Sequence, residues 1–310
     1  MRRDFFSRFA LGVLAYNLLV IAWGAFVRAT GSGAGCGAHW PLCDGEIVPR
    51  APSLARMIEF SHRASSGVAL VAVVALAIVA FRARSKGDAA RFWATLSVVF
   101  IFTEALVGAG LVLFELVAHD ASMKRALSIV LHLSNTFILL ACLTLTVRAA
   151  TGAPRLRLSR QGVAPWLVAP VLLAVLFLGM SGAVAALGDT LFPAKSLADG
   201  FRQDLAATAH LFVKLRALHP MIATFTGALV VALASLAPVV RRDAHVARGS
   251  KLVFGMFAAQ FLLGLVNVAL LAPVWMQLAH LLVADGVWIA LVLLAAAMLR
   301  DDDAPQPAVM

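Results

Sequence analysis

Apolar residues run along this chain in blocks of about twenty, and short polar stretches separate the blocks. The blocks fall at about 9–27, 58–81, 92–114, 126–147, 165–187, 217–240, 252–271 and 277–299. At a helical rise of about 1.5 Å per residue, twenty residues reach about 30 Å, the thickness of a bilayer's hydrocarbon core. Backbone inside lipid must satisfy its own N–H and C=O groups, so a spanning segment is a helix or a strand of a closed barrel. Barrel strands alternate apolar and polar over about nine to eleven residues, whereas these blocks are longer and continuously apolar. The pattern predicts an all-α polytopic membrane protein of eight transmembrane helices.

Composition agrees, since 62% of the 310 residues are hydrophobic, more than soluble domains carry. A formal net charge of +10 would point to nucleic acid in a soluble protein. Here the basic residues stand in short clusters with no basic stripe, and no nucleic-acid partner is expected. Arg2, Arg3 and Arg8; Arg82, Arg84, Lys86 and Arg91; Arg148, Arg155, Arg157 and Arg160; and Arg241, Arg242, Arg248 and Lys251 fall in alternate polar segments. The positive-inside rule places those segments in the cytoplasm. Both termini are then cytoplasmic, the connections 28–57, 115–125 and 188–216 face outward, and the expected location is a bacterial inner membrane. The opening Met-Arg-Arg followed by an apolar block resembles a secretory signal, but the block exceeds a usual h-region and no clear cleavage site follows. It reads as a retained first helix.

A weak internal repeat divides the spans. Glu104-Ala-Leu-Val-Gly108 in the third resembles Gln260-Phe-Leu-Leu-Gly264 in the seventh, and His62 and His219 recur at nearly the same offset. The expected organisation is two pseudo-repeated four-helix bundles, 1–150 and 151–300, then a polar tail, 301–310.

Of eight histidines, four lie inside spans: His62, His132, His219 and His280. Each falls within about the first two turns of an even-numbered span, and every such span starts at the outer face. Four imidazoles therefore share one depth, two from each half. Ionisable groups inside membrane helices are costly and mark function, and imidazoles from facing helices of a bundle are a recurrent pair of axial ligands for heme iron. Zinc or copper would more often add thiolate or a carboxylate cluster, and Cys142 is not at that depth. Hydrogen bonding to a neighbouring helix is the other use of such a histidine.

Glu59 precedes His62 by one turn, with Arg63 beside it, so Glu59 and His62 share a helix face. That carboxylate could orient the imidazole, carry protons, act on an oxidised intermediate, or simply pair with an arginine. Arg28, Arg56, Arg63, Arg125 and Arg216 on the outer side suit heme propionates, because a guanidinium fork matches a carboxylate; interfacial arginines also snorkel without a ligand. Cys36 and Cys43 lie in a turn-rich outer loop, where a disulfide could staple the loop or act in redox chemistry. Glu104 and Asp285 are further intramembrane acids, either proton-path groups or internal hydrogen-bonding partners.

Several separate motifs then carry a resemblance. They are Trp23-Gly-Ala-Phe-Val-Arg28-Ala-Thr-Gly-Ser-Gly33 with Cys36, Trp40-Pro41-Leu42-Cys43, Glu59-x-x-His62-Arg63, His219-Pro220, Gln260-x-x-x-Gly264-x-x-Asn267 with Leu271-Ala-Pro-Val-Trp275, and His280-Leu-Leu-x-Ala-Asp285. Over nearly its whole length the chain resembles the heme A synthase family. The resemblance implies an integral membrane oxidoreductase that converts heme O to heme A. It would oxidise one ring methyl to a formyl group by two hydroxylations and loss of water, and the product would serve heme-copper terminal oxidases. It further implies a heme b cofactor on His219 and His280, a substrate-heme site at His62 and His132, and a catalytic role for Glu59. Arg28, Arg63 and Arg216 would hold propionates. Heme O synthase is the implied upstream partner. An electron donor must exist, and the sequence carries no flavin or nicotinamide fingerprint of its own; homo-oligomers are compatible with this reading. Some relatives carry a second cysteine pair in the loop before the sixth span, and loop 188–216 here has none, so a relay through two disulfides does not suit this chain. The rival readings are a b-type di-heme electron-transfer cytochrome, and a transporter or heme-delivery protein that leaves its heme unmodified.

Overall fold

A computed structural model describes residues 2–50 and 53–301, with only the backbone described for residues 2–4; the expected tail after Asp301 lies outside the described residues. The described residues form nine α-helices: α1 (Arg2–Ala29), α2 (Leu54–Ala83), α3 (Ala89–Leu113), α4 (Met123–Ala150), α5 (Ala164–Leu191), α6 (Leu197–Leu205), α7 (Leu211–Val240), α8 (Ala244–Ala269) and α9 (Val274–Met298). All except α6 are long and apolar enough to cross a membrane, so the protein is an all-α, multi-pass membrane protein.

The helices overrun the apolar blocks, most clearly at α7 and α8, which begin several residues before positions 217 and 252. Hydropathy registers only the lipid-contacting part of a helix, whereas the ends are set by capping. Ser53, Ser122 and Asp243 accept hydrogen bonds from the backbone N–H of Arg56, Arg125 and His245 respectively, and so satisfy first-turn donors. Helix α6 was not anticipated. Its nine residues mix apolar and charged side chains, a pattern with no spanning block to reveal it.

Helices α4 and α9 form the centre. They have 44% and 56% of their spanning windows buried, against 11–28% for the other spans. Helix α4 packs on α1, α3, α5 and α9, and α9 on α1, α4, α5 and α8. Across their seam the Phe137 and Trp288 rings stack at 5.1 Å and the Trp288 Nε1–H donates to the Phe137 carbonyl over 2.6 Å. Gly179 of α5 makes the room, since a Cβ there would meet the Phe137 ring at 2.9 Å. Arg28 ties α1 to the other side of the seam. Its guanidinium donates to Ala186 O at 2.8 Å and Thr190 Oγ1 at 2.8 Å on α5, and to Gln277 Oε1 at 2.9 Å on α9. Large apolar side chains such as Phe92, Phe177, Phe225 and Leu262 stay exposed on the protein, which suits contact with acyl chains.

Candidate functional site

The four span histidines lie close to the same ends of their helices. His62 is eight residues into α2 from Leu54, His132 nine into α4 from Met123, His219 eight into α7 from Leu211 and His280 six into α9 from Val274. That puts them about 9–14 Å from the helix starts. Helices α1, α2, α3 and α4 pack in a ring with His62 and His132 on opposite members, and α5, α7, α8 and α9 pack in a second ring with His219 and His280 on opposite members.

Each imidazole packs against a glycine of another helix. A Cβ on Gly24 of α1 would lie 2.9 Å from His62 Cε1, one on Gly182 of α5 3.0 Å from His219 Cε1, and one on Gly264 of α8 3.2 Å from His280 Cε1. On Gly108 of α3 it would lie 3.9 Å from His132 Cε1, an ordinary contact. A side chain at the first three positions would push the ring aside; at Gly108 a methyl group fits.

The polar partners differ from ring to ring. The Ser181 hydroxyl is 2.9 Å from His219 Nδ1, and the Gln260 amide nitrogen is 3.1 Å from His280 Nε2. His132 Nδ1 lies 3.2 Å from Glu104 Oε1, off the line of a straight hydrogen bond. Glu104 is itself held by Asn135 Nδ2 at 2.5 Å and by the Thr136 hydroxyl. Among the described residues, His62 Nδ1 and His280 Nδ1 are buried without a hydrogen-bond partner. Gln260 stands out in the internal repeat and in the motif shared with Gly264 and Asn267, whereas Ser181 has no mark in a single sequence beyond preceding Gly182.

Glu59 bonds both the loop that precedes α2 and its helical neighbour Arg63. It is buried, takes a hydrogen bond from the Cys36 N–H at 2.8 Å through Oε2, and binds Arg63 Nη2 at 2.5 Å and Nε at 3.1 Å through Oε1. Arg63 also donates to the carbonyls of His39 at 2.5 Å and Leu42 at 2.6 Å. Cys36 and Cys43 form a disulfide, so Glu59 and Arg63 together clamp the disulfide loop onto α2. Gly35 lets that loop sit there, because a Cβ would come within 2.6 Å of the Ala55 carbonyl carbon and oxygen. Arg56 adds Asp44 Oδ2 at 2.5 Å.

The other outer arginines also have protein partners. Arg216 binds Asp204 Oδ1 at 2.6 Å and Asp189 Oδ1 at 3.2 Å, which fastens α6 and the end of α5 to α7. Arg125 closes its own loop on the carbonyls of Ala118 and Asp120. Arg28 makes the cross-seam bonds described above.

Asp285 is fully buried on α9, and neither carboxylate oxygen has a hydrogen-bond partner among the described residues. Cys142 is free and buried in α4.

Residues 7–292 match the model of the COX15-CtaA family, described as cytochrome oxidase assembly protein. A protoheme IX farnesyltransferase of Thermus thermophilus is 50% identical over 292 residues, covering 94% of this chain and 48% of that protein. Heme A synthases align over shorter stretches. The protein of Halalkalibacterium halodurans is 45% identical over 97 residues, 31% of this chain and 33% of that one. That of Bacillus cereus is 39% identical over 126 residues, 41% of this chain and 40% of that one. The chain thus spans about half or less of the curated relatives it matches. With the family match running through all eight spans and all four histidines, the chain belongs to the COX15-CtaA family of cytochrome oxidase assembly proteins.

Proposed function

We propose that this protein is a heme A synthase, an oxidoreductase of the bacterial inner membrane that converts heme O to heme A. The observation that carries the reading is the two histidine pairs, each ring seated on a glycine and all at one depth. The donor set fits heme. Among the described residues no three His, Cys, Asp or Glu side chains converge as a bare zinc or copper ion requires, whereas two imidazoles per site match axial ligation.

The two sites have separate tasks. His219 and His280 hold heme b, which supplies electrons when bound. His62 and His132 hold the substrate heme O, and the product leaves as heme A. Ser181 fixes the His219 ring through Nδ1 and leaves Nε2 for iron. Glu59 is the catalytic carboxylate. Its bonds to the Cys36 N–H and to Arg63, where α2 meets the disulfide loop, one turn from His62, support a role in holding or passing a proton. Arg28, Arg63 and Arg216 stand at the outer rim, and propionates reach them by sharing or exchanging their present carboxylate and carbonyl partners. The division at about residue 150, the cytoplasmic termini and supply of substrate by heme O synthase belong to the same proposal. The electron donor is a separate protein or quinol.

The name of the Thermus relative raises a second reading, farnesyl transfer to protoheme. Prenyl transfer from a diphosphate calls for acids that hold Mg²⁺. Among the described residues no three acid, His or Cys side chains converge to hold such an ion, and Glu59 and Glu104 are committed to Arg63 and to His132, Asn135 and Thr136. The match covers 48% of the relative, which leaves room for that activity in its other half. The two readings separate on extracted pigments. Expressed with a heme O synthase, the chain should yield heme A. Formation of heme O from heme b and farnesyl diphosphate by this chain alone, with no heme A, would overturn the proposal.

A further inference from the structure

The two histidine pairs differ in the group that backs one ring. In α3 and α8 the repeat places an acid at Glu104 and an amide at Gln260, each one turn before the glycine that seats a histidine. Glu104 Oε1 lies 3.2 Å from His132 Nδ1, and the Gln260 amide lies 3.1 Å from His280 Nε2. His219 of α7 is backed at Nδ1 by the neutral Ser181 hydroxyl of α5, whereas Gln260 meets His280 at Nε2, the nitrogen that Ser181 leaves open on His219. The carboxylate is not loosely placed. Asn135 Nδ2 donates to its Oε2 at 2.5 Å and the Thr136 hydroxyl donates to its Oε1; Asn135 is fixed in turn by the Thr103 hydroxyl at 2.6 Å and the Phe100 carbonyl at 2.9 Å. Four side chains of α3 and α4, Thr103, Glu104, Asn135 and Thr136, with the Phe100 carbonyl, thus set one anionic oxygen beside one imidazole nitrogen. A methyl-sized gap remains between His132 and Gly108, where the other three rings are tightly seated, so this ring has room to turn and straighten the contact.

A carboxylate can only accept, so it selects the tautomer with hydrogen on Nδ1 and leaves Nε2 free for a metal. It also draws that proton toward itself and makes the imidazole a stronger donor, and axial donor strength is one of the levers that set a heme's potential. We propose that Glu104 is a positioning residue that acts through His132. It gives the N-terminal heme site a stronger axial donor, and hence a lower reduction potential, than the C-terminal site, where the Nδ1 partner is the neutral Ser181 hydroxyl on His219. This rests on the heme-binding reading above.

The test is a redox titration, followed by optical and electron paramagnetic resonance spectra, of the full-length protein in nanodiscs loaded with heme. Wild type should titrate in two steps. Glu104→Gln keeps the volume and removes the charge, and should raise the potential of the N-terminal heme with a change in its g values while the C-terminal heme stays put. Ser181→Asp is the reciprocal variant, with a carboxylate in place of the hydroxyl on His219 Nδ1, and should lower the potential of the C-terminal heme. If both variants keep two hemes with wild-type potentials and g values, the proposal fails while heme binding stands. If wild type binds no heme, the heme-binding reading itself fails. Should Glu104→Gln lose its N-terminal heme, Ser181→Asp decides: an unmoved C-terminal potential overturns the proposal.

Discussion

At the scale of single residues, the histidine seats make the sharpest predictions. Gly182→Ala and Gly264→Ala put a methyl against an imidazole carbon at 3.0 and 3.2 Å, and overpacking of this kind costs about 1–3 kcal/mol. Each should lower retained heme b several-fold by pyridine hemochrome assay, whereas Gly108→Ala, with 3.9 Å available, should retain wild-type heme. Ser181→Ala removes the hydrogen bond on His219 Nδ1. Loss of such a ligand-orienting partner weakens metal binding by about 10–100-fold, and heme b dissociation should quicken on that scale. Glu59 calls for a gentler change than alanine, because Glu59→Ala also strips Arg63 and the Cys36 N–H of their acceptor. Glu59→Gln keeps an acceptor for the loop, so it should retain heme while formyl formation falls at least 10-fold. The histidines and Glu59 were legible in the sequence because charge and imidazole stand out against apolar helix. Ser181, and the clamping bonds that Arg28, Arg63 and Arg216 make to other helices and to the disulfide loop, were not, since a partner distant along the chain leaves no local pattern.

At the scale of elements, the same contrast holds. Eight spans follow from length and hydropathy, but α6 does not, because its signal is amphipathic. Leu197, Phe201 and Leu205 recur every four residues and are exposed, while Asp204 is tied to Arg216. That stripe suits the outer membrane interface. A nitroxide on Phe201→Cys should be open to oxygen and shielded from a polar relaxant, with the reverse for Arg202→Cys; Cys142 is buried and Cys36 and Cys43 are paired, so native thiols do not interfere. Helix ends depend on caps that hydropathy ignores. At Asp243, burial acts to raise the carboxyl's pKa, but the N–H groups of His245 and Val246 and the Arg300 guanidinium outweigh it and hold the pKa below the ordinary value. A depressed pKa stabilises the fold above the unfolded value near about pH 4, and the gain fades as pH falls through the folded value. The difference in thermal midpoint between wild type and Asp243→Ala should therefore shrink below about pH 4.

At the scale of the whole molecule, helices α4 and α9 carry one histidine each and also form the buried seam. Each pair therefore has one histidine on a central helix and one, His62 or His219, on a more exposed helix, while α1, α3, α5 and α8 supply the glycines. The central claim is that one pair of histidines keeps a heme while the other turns one over. It is tested most directly by chromatographic identification of the hemes that copurify with the protein from cells that make heme O. Wild type should carry heme b together with heme O or heme A, the double variant His62→Ala, His132→Ala should carry heme b alone, and His219→Ala, His280→Ala should lose heme b. Equal loss of one heme species from both double variants, or wild type holding heme b and nothing else, would contradict the account.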